Sequence, residues 1–429
     1  MKSLRSVHKK NIFPAPFDVS WFHKPVIRKL LTILQSEGAE VFAVGGCVRD
    51  SFWKREVKEI DLAINIEPIL VKELVSKIDC KVLNVGFDFG TVTLILEGHK
   101  FEITSFRKDI KTFGRKAKVQ YTDNLEEDAK RRDFTFNTIY LNPNDFIIDP
   151  LGNFSDLTSG KVKFVGDPNI RIIEDHLRIL RYFRFVSKFP CANKIPDQVT
   201  LNAIKTKKSL ILKLSRERIW NELKLILSSH AINSVICLMN DTEVLPIIFP
   251  QASLNQISKM SRLEKLLEKI IHEKNEFKHD VGFFDPIRRL ALLCGKNDAF
   301  HKTNKILSLD KREIKVLNFY QLHISQFPDC WHLIGFRHGL QRGVDLLLWS
   351  ITKSEKNVDP KFEKETIDIL KSCLKKIIKG SSEKFPLSGE DLLNEGYSGI
   401  DLGLTLKELE KDWIASGFSL SKGQLLEKL

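Results

Sequence analysis

Up to about residue 165, short apolar runs alternate with polar and glycine-rich punctuation; beyond it, apolar residues recur every three or four positions. The first pattern predicts a small mixed β-sheet and the second a succession of helices. Phe42, Ala43 and Val44 read as the end of a short apolar strand that stops at Gly45 and Gly46. Ile60, Leu62 and Ile64 alternate with Glu59, Asp61 and Ala63, which predicts a strand with both acids on one face. Thr91 to Leu96 and Phe101 to Phe106 are β-rich runs flanking Glu97, Gly98, His99 and Lys100, a hairpin. From Glu174 to Phe185, Leu177, Ile179, Leu180, Phe183 and Phe185 supply a buried helical side, and Glu174 and Asp175 near the start suit the positive end of a helix. Residues 301–323 and Gly343 to Ile351 read as further helices, with Lys353 to Lys364 a polar loop; there is no internal repeat.

At 429 residues the chain exceeds one ordinary core and should divide into domains. A formal net charge of +13 makes an acidic polymer a plausible partner. The seven cysteines are scattered without CxxC or zinc spacing, which suits reduced thiols in a cytosol-like compartment. No apolar run approaches the roughly 20 residues needed to cross a bilayer, so no membrane is expected. The basic, acid-free start faintly resembles an organellar transit peptide, but no small-residue cleavage site stands out, and a bacterial cytoplasm is the favoured location.

The chemistry concentrates in two places. Gly45 and Gly46 let the backbone turn sharply and bring bare amides close to a ligand, Arg49 offers a planar donor for phosphate oxygens, and Glu59 with Asp61 presents the paired carboxylates that hard divalent cations favour. Further on, Asp175 and Arg178 are three apart on the expected helix, hence side by side on one face. A carboxylate accepting from an exocyclic amino group beside a guanidinium donating to a ring nitrogen fits cytosine and adenine and leaves uracil and guanine with unpaired groups. The same pair could equally form an ordinary surface ion pair. Glu102 could add a third acid or be salt-bridged, and Arg131 could simply be solvated.

GG-x-V-R-D followed by the two acids resembles the signature of the class II nucleotidyltransferases of the DNA polymerase β superfamily, the CCA-adding tRNA nucleotidyltransferases and bacterial poly(A) polymerases. Glu59 stands where that family normally has aspartate. RRDFTFN at Arg131 to Asn137, the D-P-x-G link at Asp149 to Gly152, and EDHLRILRYFRF at Glu174 to Phe185 extend the resemblance, as do Arg218 and Glu222 in a neck helix. The tail from Pro386 to Gly417, with Gly389, Asp391, Leu392, Gly396, Gly399, Leu402, Gly403 and Trp413, resembles CCA-adding enzymes rather than poly(A) polymerases. The segment from Phe106 to Arg131, with Phe113, Gly114 and Arg115, resembles the loop that accompanies the change from C to A addition.

The resemblance implies an α+β fold: an N-terminal segment (1–25), a nucleotidyltransferase head with a small mixed β-sheet (26–165), and an all-helical C-terminal part made of a neck (166–230), a body (231–340) and a tRNA-binding tail (341–429). It further implies template-independent addition of the 3′-terminal CCA of tRNA from CTP and ATP, with Mg²⁺ on Glu59 and Asp61 as the catalytic and metal-binding acids. The nucleotide would be held by Gly45, Gly46, Arg49, Arg132, Asp175, Arg178, Arg181 and Arg184. A poly(A) polymerase, a partial-adding relative and a catalytically weak RNA-binding protein are the alternatives. His279 and Asp280 form an HD dyad without a convincing partner, and the oligomeric state is left open.

Overall fold

The computed structural model describes residues 3–83, 86–113, 116–189, 197–273, 282–294, 303, 305–322, 330–354 and 363–429. The HD dyad at His279 and Asp280, and Gly114 with Arg115, lie outside them. The chain divides into two compact units, Met1–Pro250 with Lys302–Ser308, and Gln251–His301 with Leu309–Leu429.

The first unit carries an eight-stranded sheet built from β1 (Ile12–Pro14), β2 (Val41–Val44), β3 (Ile60–Ile64), β4 (Lys81–Leu83), β5 (Thr91–Leu96), β6 (His99–Ser105), β9 (Tyr140–Leu141) and β10 (Phe146–Ile148). A separate ribbon pairs β7 (Arg107–Phe113) with β8 (Lys116–Tyr121). The strand order is β1-β10-β9-β2-β3-β6-β5-β4, and every pairing in it is antiparallel except β3 with β6. The parallel pair requires a long crossover, here α3 (Pro68–Val75) followed by β4 and β5. It sets Asp61 opposite Glu102. The hairpin turn is tighter than the pattern predicts: only Glu97 and Gly98, both at positive φ, lie between the strands, and His99 and Lys100 extend β6.

The sheet core gathers Phe42, Val44, Ala63, Phe106, Leu125, Ala129, Tyr140 and Ile148. Past Pro168 the described elements of this unit are helices, beginning with α6 (Pro168–Glu174), α7 (Arg178–Lys188), α8 (Gln198–Lys207) and α9 (Arg216–Leu227). The helix expected to start at Glu174 begins later: Glu174 ends α6, and α7 starts at Arg178. Asp175 is extended (φ −148°, ψ 109°), and its carboxylate accepts from the Leu177 amide at 3.1 Å, closing α6 and starting α7.

In the second unit a fully buried charge network joins α12 (Leu254–Glu273) to α13 (Pro286–Cys294) and to the helix Trp331–Lys353: Glu264 accepts from Arg288 and Arg289, and Asp345 from Arg288. Helices Trp331–Lys353 and Glu363–Ser382 touch through glycines. A Cβ on Gly380 would lie 1.9 Å from the His332 carbonyl oxygen, and one on Gly335 2.2 Å from that of Ile377. The tail folds over Leu387, Leu392, Leu409, Trp413 and Leu425. Its Asp391 closes a capping box with Ser388, and Gly396 and Gly399 take positive φ. Among the described residues no helix is long and apolar enough to cross a membrane.

Candidate active site

The apolar strand β2 delivers the chain to Gly45, whose φ of 74° makes the sharp turn into α2 (Gly46–Phe52). A Cβ at Gly45 would lie 3.9 Å, and one at Gly46 3.7 Å, from Oδ2 of Asp61 on the adjacent β3. The two glycines therefore leave the backbone close to the Asp61 carboxylate without an intervening side chain. Glu59 precedes the strand, which begins at Ile60, and is exposed.

These residues open onto a cleft of about 680 Å³. Gly45, Gly46, Arg49, Glu59 and Asp61 line one part of it, and Arg132, Asp133, Asn137, Arg181, Arg184, Phe185 and Lys188 line another. Eight of the ten residues singled out from the sequence thus share one cavity. Asp175 and Arg178 are not among its lining residues.

The arginines of the cleft are pre-positioned by partners distant in sequence. Asp128, completely buried on α4 (Leu125–Lys130), accepts from Arg131 Nε and Arg132 Nη2 at 2.8 Å each and from the Tyr140 hydroxyl at 2.7 Å. Burial alone would raise its pKa, but the charges of Arg131 and Arg132 hold it well below the usual carboxylate range. Arg131 is therefore an engaged cation and not a solvated one. Arg49 stacks near Phe185 and donates to Asn137 Oδ1 at 3.1 Å and to Asp50. Asn137 donates to Asp133 at 3.0 Å, and Arg181 donates to the other oxygen of Asp133 at 2.8 Å. Glu222 on α9 holds Arg184 at 2.7 Å and faces Arg181 at 3.6 Å. One continuous relay therefore ties α2, the RRDFTFN segment, α7 and α9 together.

The pairing of Asp175 with Arg178 read from spacing is replaced by others. Asp175 does not stand beside Arg178 on a helix face: its carboxylate is gripped by both oxygens from Arg218 Nη2, at 3.1 and 2.8 Å, while Arg178 Nη1 binds Glu174 at 2.6 Å and the Arg171 carbonyl at 2.9 Å. The break at Asp175 turns the carboxylate toward α9, and it leaves Glu174 one turn from Arg178. Arg218 and Glu222 likewise bind other elements and not each other. Asp128 and Tyr140 escaped the sequence reading, since an acid on a short helix and a tyrosine on a strand carry no motif.

Burial first, then the carboxylate of Glu102, push Asp61 up to about 6, with Glu59 adding to the rise and Arg132 and Arg49 opposing it. Glu102 itself is bound by Lys100 at 2.6 Å. Burial and the neighbouring Asp61 push the Cys47 thiol up to about 12, so it is an inert wall of the cleft. A divalent cation fits this donor set: it would relieve the repulsion that raises Asp61, and carboxylate oxygens suit a hard ion. Among the described residues no cluster of three or more metal-binding side chains exists.

Two family models match the chain, "Poly A polymerase head domain" over residues 41–163 and "Probable RNA and SrmB- binding site of polymerase A" over residues 196–255. The chain is 32% identical over 410 residues to the mitochondrial CCA tRNA nucleotidyltransferase 1 of Homo sapiens, covering 93% of this chain and 88% of that one. In structure it resembles the Bacillus stearothermophilus CCA-adding enzyme in complex with CTP (TM-score 0.66, 22% identity, 92% and 93% covered). It also resembles the Thermotoga maritima CCA-adding enzyme complexed with tRNA (TM-score 0.63, 20% identity, 96% and 95% covered).

Proposed function

From the premise that this chain belongs to the CCA-adding tRNA nucleotidyltransferases, we propose that its cleft builds or repairs the 3′-terminal CCA of tRNA from CTP and ATP, releasing pyrophosphate. The observation that carries the reading is the cavity in which Asp61 and Glu59, the Gly45–Gly46 turn, and Arg181 and Arg184 of α7 meet.

In this reading each group takes the part of the substrate that its chemistry suits. The backbone at Gly45 and Gly46, with Arg49 and Arg132, cradles the triphosphate, and Arg181 and Arg184 supply further positive charge. Because Asp128, Asn137, Asp133 and Glu222 fix these guanidinium groups beforehand, little ordering remains to be done when substrate arrives. Glu59 and Asp61 would hold divalent cations, Mg²⁺ in this reading, whose contribution when bound is to activate the attacking hydroxyl and neutralise the departing pyrophosphate. Asp175 and Arg178 would choose the base. Arg178 has Nε and Nη2 free of hydrogen bonds among the described residues, available to a ring nitrogen without giving up Glu174. The helical remainder would grip tRNA by backbone and shape. Of the compartment, the proposal requires one that holds tRNA, CTP and ATP. The expected bacterial cytoplasm meets it, and so does the mitochondrion named for the human relative.

The decisive experiment supplies a tRNA ending before CCA with CTP, ATP or both and sequences the products. Addition of two C residues with CTP and completion to CCA with both is expected, with Asp61→Ala reducing incorporation at least ~100-fold while tRNA binding persists. Long runs of A, or incorporation indifferent to Asp61→Ala, would sink the proposal.

A further inference from the structure

Along α7, Arg181, Arg184, Phe185 and Lys188 fall at positions i, i+3, i+4 and i+7, one face of the helix, and all four line the cleft. Each arginine of the cleft is already held by a side-chain partner, as described above. Lys188 differs: its ammonium group has no hydrogen bond or ion pair among the described residues, although the side chain is half-buried. Its backbone is fixed, since the Lys188 carbonyl accepts from Arg55, whose guanidinium stands 6.0 Å from the centre of the Phe189 ring. Burial, and then the charges of Arg49 and Arg184, hold the ammonium below the usual lysine range, with Asp50 opposing. This end of the cleft therefore carries positive charge that its own acids do not satisfy, and the charge complement is a phosphate group.

We propose that Lys188 is a positioning residue that binds the β- and γ-phosphates of the incoming nucleotide and then the departing pyrophosphate. The inference rests on the reading of the cleft as a nucleotidyltransferase site and extends it, because Lys188 lies beyond the motif residues that carried that reading. A flexible ammonium with three donors and no competing partner among the described residues suits a group that must follow the pyrophosphate as it leaves, whereas the pre-bound arginines suit the parts of the substrate that stay in place. The bland reading is a cation in the last helical turn, favourable to the helix dipole and nothing more.

The test compares Lys188→Gln and Lys188→Arg with the unaltered chain. Steady-state kinetics are measured for CTP and for ATP, with inorganic pyrophosphate as product inhibitor, tRNA affinity by a separate binding assay, and thermal melting as the check on folding. The expected result for Lys188→Gln is a rise of roughly tenfold in the KM of both nucleotides and in the inhibition constant of pyrophosphate, the scale of one hydrogen bond to a charged group. The tRNA affinity and melting temperature should hold, and Lys188→Arg should restore the constants to within about threefold. Unchanged nucleotide and pyrophosphate constants would overturn the proposal, as would a loss confined to tRNA affinity, which would assign Lys188 to an RNA backbone phosphate, or one confined to melting temperature. An unaltered chain that incorporates nothing would instead sink the reading of the cleft itself.

Discussion

At Asp128 one buried carboxylate fixes two arginines and a tyrosine, so its removal reaches the cleft without touching it. Because its folded pKa is depressed, it contributes stability that is fully present above the unfolded value of about 3.9 and is lost as pH falls below that toward the folded value. Asp128→Asn should lower stability at pH 7 by about 3 kcal/mol, leaving Arg132 buried without its anion, and the difference should shrink below about pH 3.5. Urea denaturation at both pH values checks this; equal midpoints at pH 7 would refute it. Base choice belongs to the same scale. Exchanging the charges, Asp175→Arg with Arg178→Asp, should loosen discrimination against UTP and GTP, read from competition between nucleotides, and an unchanged preference would remove both residues from that role. The acids and arginines of the cleft were legible because their types and order along the chain are themselves the signal. Their partners were not: Asp175 reaches Arg218 and Arg181 reaches Asp133 across long stretches of sequence, and local spacing carries no information about such contacts.

At the scale of elements, alternation located β6, whose positions alternate in burial from Phe101 on, while β3 and β5 bury consecutive residues and read as apolar runs. It did not reveal that β3 runs parallel to β6, since side-chain period is the same in either direction. The helix expected from Glu174 begins only at Arg178 for a related reason: the apolar spacing of α7 does not register the break at Asp175, which a cap makes. The helix pair of the second unit gives a sharp contrast between two glycines. Gly380→Ala would drive a Cβ into the His332 carbonyl and should cost at least about 2 kcal/mol. Gly403→Ala, inside the helix Gly399–Ala415 with nothing within 4 Å of the new carbon, should stabilise by about 0.5 to 1 kcal/mol. Opposite shifts in melting temperature are the expected outcome, and a harmless Gly380→Ala would show that the two helices do not approach as closely as described.

For the whole molecule, the formal charge of +13 sets the terms of association with an acidic polymer. Affinity for tRNA should fall steeply with salt, with a log–log slope of about −3 or steeper if several phosphates are neutralised, and a binding series between 50 and 300 mM salt would show it. A flat series would mean that charge plays little part in holding tRNA. The α+β class, the change from sheet to helices near residue 165 and a division of the chain were visible in the sequence; the membership of the two units was not, because the first unit recruits a segment from far downstream. Lys302–Ser308 belongs to it, and the buried Leu307 offers its carbonyl to the Arg216 guanidinium at 2.6 and 3.0 Å. During synthesis the amino-terminal half still lacks Lys302–Ser308 when the ribosome reaches Pro250. Until the chain has gone out into the other unit and come back, the Leu307 carbonyl is not there for Arg216 to bind, so a nascent polypeptide halted in that interval would present this half without the segment to proteases and chaperones.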